Sequence, residues 1–157
     1  MKHKESETVE FKKSTAELKE AVIAIGAILN KHEKGKIYFG IKNDGSVIGQ
    51  DIGENTVREI SQMITDNIEP RIFPKITAQK IKGRGCITVV FSGSAMPYFA
   101  YGRAYMRVGD ENKQLTVREL EKLILKKHKE SIDWEKQYSS KKIYEINTRG
   151  LKSYISR

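Results

Sequence analysis

Cysteine is almost absent from this chain. Cys86 stands alone, which excludes an intramolecular disulfide framework and a multi-cysteine zinc site. No apolar run approaches the ~20 residues of a membrane span. The longest uncharged, apolar-rich stretch, residues 21–30, reaches half of that. The opening Met-Lys-His-Lys-Glu-Ser-Glu lacks the apolar segment of a secretory signal. These absences lead us to expect a cytoplasmic protein without a membrane partner. Neither G-x-x-x-x-G-K-[ST] nor G-x-G-x-x-G occurs, so a phosphate-cradling P-loop and a dinucleotide fingerprint are unsupported. His3, His32 and His128 share no ligand spacing. The most informative absence is local: residues 71–109 contain no Asp or Glu.

What remains is an ordinary globular composition. The 157 residues suit one domain with a sizeable core, and 38% apolar with 31% charged residues argues against general disorder. Net charge is +9, which favours anionic partners, nucleic acid first. Seven cations fall in the carboxylate-free stretch: Arg71, Lys75, Lys80, Lys82, Arg84, Arg103 and Arg107. A later cluster around Lys126–Lys142 is diluted by Glu130, Asp133 and Glu135 and reads as a solvated helix face.

Periodicity supplies the elements. Thr8 to Lys12 alternates as a short strand, and Ser14 with Glu17 forms a capping-box pattern. Leu18, Val22, Ile25, Ile28 and Leu29 then recur at helical spacing, predicting a helix over about 15–31. Residues 36–42 read as a strand with Ile37, Phe39 and Ile41 inward, and Asn43-Asp44-Gly45-Ser46 as a turn leading to Val47-Ile48. A second helix covers 54–68. Residues 76–81 and 86–91 form a hairpin with a basic tip at Lys82-Gly83-Arg84-Gly85. Another strand spans 101–108, and Thr116 caps a third helix through about Lys129. A sparse tail follows, with weak helical patterning over 143–155. The order predicts an α+β fold: a mixed, mostly antiparallel sheet flanked by about three helices.

The strand at 101–108 carries the first functional expectation. Strict alternation places Tyr101, Arg103, Tyr105 and Arg107 on one face, opposite Gly102, Ala104, Met106 and Val108. Rings can stack on bases and guanidinium groups can pair with phosphates, although tyrosine and arginine also pack together on ordinary strands. Lys80, Lys82 and Arg84 at the hairpin tip would grip the backbone. The candidate nucleic-acid surface is therefore Lys80, Lys82, Arg84, Tyr101, Arg103, Tyr105 and Arg107. The second expectation is enzymatic. Glu5 and Glu10 with Asp44 would hold Mg²⁺ or Mn²⁺ for phosphodiester cleavage, with Lys12 offsetting phosphate charge. Each also has a plain structural reading, Asp44 as a turn former and Glu10 as a strand charge. Cys86 opens an apolar strand and reads as a buried structural thiol.

Three segments in order also resemble a known family. Glu5-Ser-Glu-Thr-Val-Glu-Phe-Lys-Lys-Ser14 with the helix ending Ala27-Ile-Leu-Asn30 resembles an opening E-x-x-x-x-E-[FW]-K motif. Residues Gly35 to Gly49 resemble a glycine-bounded hairpin. Pro97-Tyr98 with Ala104-Tyr-Met-Arg-Val-Gly-Asp-Glu-Asn112 resembles P-[YF]…Y-x-R-x-G-[SD]-x-N. Together they resemble the Schlafen-type AlbA-like DNA-binding domain of bacterial transcriptional regulators, formerly described as a divergent AAA-type ATPase domain. The resemblance implies an α+β nucleic-acid-binding module over residues 1–130. Residues 131–157 would be a tail or linker leading to a further domain. It favours DNA over RNA, allows a homodimer and requires no cofactor. Its alternative is a metal-dependent endoribonuclease, with Glu5 and Glu10 as the family's paired glutamates and Asp44 as the nearest aspartate. The family's usual N-x-x-G-G is here Asn30-Lys-His-Glu-Lys-Gly35-Lys36, longer and with one glycine lost.

Overall fold

Short alternating segments become strands here, and one aliphatic stripe becomes the helix that covers them. The computed structural model describes residues 4–155, with side-chain environments through residue 137. Strand β1 (Val9–Lys12) is followed by helix α1 (Leu18–His32) and strand β2 (Lys34–Phe39). β1 and β2 pair in parallel, and α1 is the crossover that parallel pairing demands. After helix α2 (Thr56–Asn67) and the two-residue strand β3 (Ile68–Glu69) comes a hairpin of β4 (Lys75–Ile81) and β5 (Arg84–Ser92). β5 lies antiparallel to β2, giving a first sheet of order β1-β2-β5-β4. β6 (Phe99–Ala100), β7 (Arg103–Val108) and β8 (Glu111–Gln114) join β3 in a second, antiparallel sheet of order β3-β6-β7-β8. Helix α3 runs Val117–Ile155. Three helices with two mostly antiparallel sheets make an α+β fold.

The start of α1 follows its sequence signals. Ser14 Oγ accepts from Ala16 N at 3.2 Å and Glu17 Oε2 accepts from Lys13 N at 2.7 Å. These bonds satisfy N–H groups that the first turn leaves open. A single 3-10 turn, Thr15–Glu17, then leads into the helix. Glu33 ends it in the left-handed region at φ 64°, with Lys31 and His32 in the last turn, where cations favour the dipole.

The main core lies between α1 and the first sheet. Ile25, Ile28 and Leu29 pack with Ile37 and Phe39 of β2 and with Ile87, Val89 and Phe91 of β5, while Ile60 and Ile64 enter from α2. Each such side chain contributes roughly 1.5–3 kcal/mol on full burial. Gly35 sets how closely α1 approaches. A Cβ there would lie 2.7 Å from Ile28 Cγ2 and from Phe91 Cζ, closer than atoms pack. On the opposite face of the sheet a smaller cluster of Phe11, Ile41 and Cys86 packs with Val9, Tyr38, Val47 and Ile81.

The structure departs from the sequence expectation in four ways. Ile41, expected inward with Ile37 and Phe39, lies past β2 in the cluster on the opposite face. There are two sheets rather than one, because β3 and β6 are two residues each, too short to show alternation. β8, Glu-Asn-Lys-Gln, is polar and mostly exposed, so it has no apolar face to announce it. The third helix does not stop near Lys129 but continues to Ile155. No proline follows Pro97, and Lys, Glu and Ile keep helical propensity adequate across the polar tail. Met1–Leu120 form one compact unit and Glu121–Arg157 a second. Among the described residues, no helix is long and apolar enough to cross a membrane.

Candidate nucleic-acid interface

The strand predicted to present Tyr101, Arg103, Tyr105 and Arg107 together does not do so. Tyr101 precedes β7, in a turn with Gly102, at φ 51°. Its backbone N donates to Asn67 O at 3.0 Å. Lys19 Nζ sits 5.7 Å from its ring centroid, and burial, with Glu20 adding, pushes its hydroxyl above the ordinary range. Tyr105 is half-buried and packs against the main core. Arg103 is exposed and donates to Gln114 Oε1 at 3.2 Å.

Arg107 is the clearest correction. It is 0% exposed and so is removed from the solvent face that alternation gave it. Its Nη2 lies 2.6 Å from Glu10 Oε2 and 3.1 Å from Ser6 O, and its Nη1 donates to Asn112 Oδ1 at 2.9 Å. A guanidinium out of water needs such partners. The carboxylate that permits this burial lies in β1, far away in sequence, and strand periodicity cannot reveal it. Arg107 and Asn112 are register partners across β7 and β8. The three-way contact joins the opening glutamate motif to the Y-x-R-x-G-x-x-N segment.

The same contacts occupy the acidic candidates. Glu10 is 6% exposed, and Lys12 Nζ holds its Oε1 at 2.6 Å. Glu5 Oε1 accepts from Phe11 N at 3.1 Å. Burial raises the Glu5 carboxyl above its ordinary range, the Phe11 bond opposes this, and the nearby Glu10 charge adds to it. So Glu5, Glu10 and Lys12 are brought together, with Arg107 beside them. Asp44 is not part of that group as a ligand: its Oδ1 accepts from Ser46 N at 2.8 Å and caps its own turn. Among the described residues no three His, Cys, Asp or Glu side chains gather where an ion could be held. With both Glu10 oxygens facing cations, this donor set does not fit Mg²⁺ or Mn²⁺ as arranged.

The hairpin cations remain outside. Lys80, Lys82 and Arg84 are exposed, with Lys82 at φ 49° beside Gly83 in the tight turn. Arg84 Nη1 also donates to Ile48 O at 3.1 Å. Lys80 and Arg84 do not share a face. Lys80 pairs with Gly85 and Ile81 with Arg84, so the two side chains leave opposite sides of the ribbon. Arg71, Lys75, Lys80, Lys82, Arg84 and Arg103 are all exposed, and among the described residues none of the ion pairs found involves any of them.

Two structural residues escaped the sequence reading. Asn30, 2% exposed, donates to Tyr98 O and Tyr105 O at 2.9 and 2.8 Å and accepts from Tyr98 N at 2.6 Å. It fastens α1 to the segment before β6 and to β7. Glu7 binds Lys31 Nζ at 2.6 Å, His32 Nε2 at 2.8 Å and Gly109 N at 3.1 Å. Lys31, then the Gly109 N–H and His32, hold its carboxyl down at about 2. A polar residue closing an aliphatic helix was the available signal for Asn30; Glu7 offered none.

The Schlafen AlbA_2 family model matches residues 5–116, nearly the whole compact unit that holds these contacts. The chain belongs to the Schlafen AlbA_2 family. Two solved structures are similar to this Schlafen AlbA_2 chain. The DIP2311 protein of Corynebacterium diphtheriae has 18% identity and a TM-score of 0.57, over 69% of this chain and 22% of that one. The N-terminal domain of a protein described as ATP-dependent DNA helicase RecG-related, from Nitrosomonas europaea, has 17% identity and a TM-score of 0.50, over 72% and 86%. These likenesses concern the fold. The chain spans about a fifth of the Corynebacterium protein's length. No curated protein matches. Family membership points to association with nucleic acid.

Proposed function

We propose that this chain is a nucleic-acid-binding module, DNA ahead of RNA, of a bacterial transcriptional regulator. One observation carries the reading. The carboxylate-free stretch from Arg71 to Gly109 folds so that six of its seven cations are exposed. None of those six is neutralised by a carboxylate in the ion pairs found among the described residues. A polyanion would meet Lys80 and Lys82 on the β4–β5 hairpin and Arg103 on β7, while Arg84 leaves the other side of the ribbon. Contacts of this kind set affinity and orientation rather than sequence preference. The family and its RecG-related neighbour support the polyanion being nucleic acid. Arg107 has no part in the contact; it braces β7 from within.

The test is a competition. A labelled duplex of mixed sequence is bound and then displaced by unlabelled DNA or by RNA of equal length. The proposal expects binding in which DNA competes better, and loss of most affinity in Lys80→Ala/Lys82→Ala/Arg103→Ala. Binding unchanged in that variant would place the contact elsewhere. Preferential displacement by RNA would reverse the choice of nucleic acid.

A further inference from the structure

The outer face of the first sheet, opposite α1, carries a small apolar cluster at one end. The Phe11, Ile41 and Cys86 cluster occupies that end. Beyond it lies an open groove of about 700 Å³, lined among others by Lys34, Lys36, Tyr38, Phe73, Lys75 and Val90. Strand alternation sends Lys34, Lys36 and Tyr38 outward while Gly35, Ile37 and Phe39 go to the core. Lys36 and Lys75 are register partners of the same residue, Val90, from opposite sides. The two ammonium-bearing strands therefore flank Val90 about 10 Å apart. Phe73 stands at the rim, 85% exposed.

No lining residue of the groove is acidic, and none of the ion pairs found among the described residues involves its three lysines. Such a surface is charge-complementary to a polyanion. Its aromatic and apolar floor adds something a duplex backbone cannot use, since duplex bases are already stacked on one another. An unpaired strand offers both parts, phosphates for the lysines and free base faces for Phe73 and Tyr38. We infer that this groove binds single-stranded nucleic acid, with Phe73 as a stacking platform and Lys34, Lys36 and Lys75 on the phosphates. The inference rests on the nucleic-acid reading above and adds a second surface, separate from the hairpin tip.

The experiment titrates the 157-residue chain into a labelled single strand of about 12 nucleotides and into a matched duplex, at low salt. Phe73 is exposed, so Phe73→Ala leaves the fold intact; Lys36→Ala/Lys75→Ala and Lys80→Ala/Lys82→Ala complete the set. Phe73→Ala is expected to weaken single-strand binding about 5- to 150-fold, the range for losing one base stack, and duplex binding less than twofold. Lys36→Ala/Lys75→Ala follows the same pattern, while the hairpin variant acts mainly on the duplex. If wild type binds the single strand and both groove variants bind it within twofold of wild type, the groove is not the site. If sedimentation instead reveals a dimer that Phe73→Ala dissociates and the single strand does not, a second copy covers the groove and the inference is overturned. Absence of binding to either nucleic acid refutes the functional reading itself, and the groove assignment with it.

Discussion

Arg107→Ala should be one of the most damaging single substitutions in the chain, although its position in a Tyr-Arg strand resembles a surface site. The side chain is fully buried. Its loss removes the 2.6 Å ion pair with Glu10 and the bonds to Asn112 and Ser6. Glu10 would remain with a side chain 7% exposed and Lys12 as its cationic partner. Removing one partner of a buried pair costs about 3–5 kcal/mol, because the other charge stays out of water. Whole-domain stability is about 5–15 kcal/mol, so about a fifth or more would be lost. With a urea dependence of about 2 kcal/mol per molar, the unfolding midpoint would fall by about 2 M. Circular dichroism through a urea series at pH 7 measures it. Arg103→Ala is the control: exposed, with one bond to Gln114, it should stay within about 0.5 kcal/mol of wild type. Glu10→Met with Arg107→Met should recover only part of the loss, since it removes the stranded carboxylate but leaves Lys12, 12% exposed, without that partner. Equal stabilities for Arg107→Ala and Arg103→Ala would refute the assignment of Arg107 as an internal brace.

Other outcomes follow from the same contacts. Asn30→Ala should cost about 2–3 kcal/mol in the same urea assay, because Tyr98 N and two carbonyls lose a buried partner. Cys86 is fully buried, and burial raises its thiol above the ordinary range; native protein should resist a thiol reagent that labels the urea-unfolded chain at once. Glu7 has its folded carboxyl at about 2 against an ordinary 4.5. Its stabilisation is therefore full above about pH 4.5 and lost as pH falls through about 2. The stability difference between wild type and Glu7→Gln should shrink across that window, and a difference that grows on acidification would contradict the contacts.

The fold was legible where local pattern and tertiary role coincide. The stripe from Leu18 to Leu29 gave α1 its length and its buried face, and the alternation of Ile37 and Phe39 gave β2 its orientation, whereas Ile41 lies past the strand and on the opposite face. β3, β6 and β8 were hidden because two-residue strands and a polar edge leave no periodic trace. At the site, the exposed hairpin cations stood where charge counting put them. Arg107 did not, because whether a cation on a strand faces water or a carboxylate depends on a partner elsewhere in the chain. Asp44 is not gathered with Glu5 and Glu10 into a ligand set among the described residues, and its Oδ1 caps its own turn. The groove beside Phe73 was invisible for a related reason: Lys36, Lys75 and Phe73 meet only through the register of three strands and a loop.

The most direct test of the central claim is the salt dependence of nucleic-acid affinity. Fluorescence anisotropy of a labelled duplex is titrated with wild type and with Lys80→Ala/Lys82→Ala/Arg103→Ala at several salt concentrations. The expected result for wild type is a linear fall of log affinity with log salt, and a slope shallower by about 0.9 for each phosphate contact the variant loses. No binding at low salt, or a slope identical in the two proteins, would contradict it.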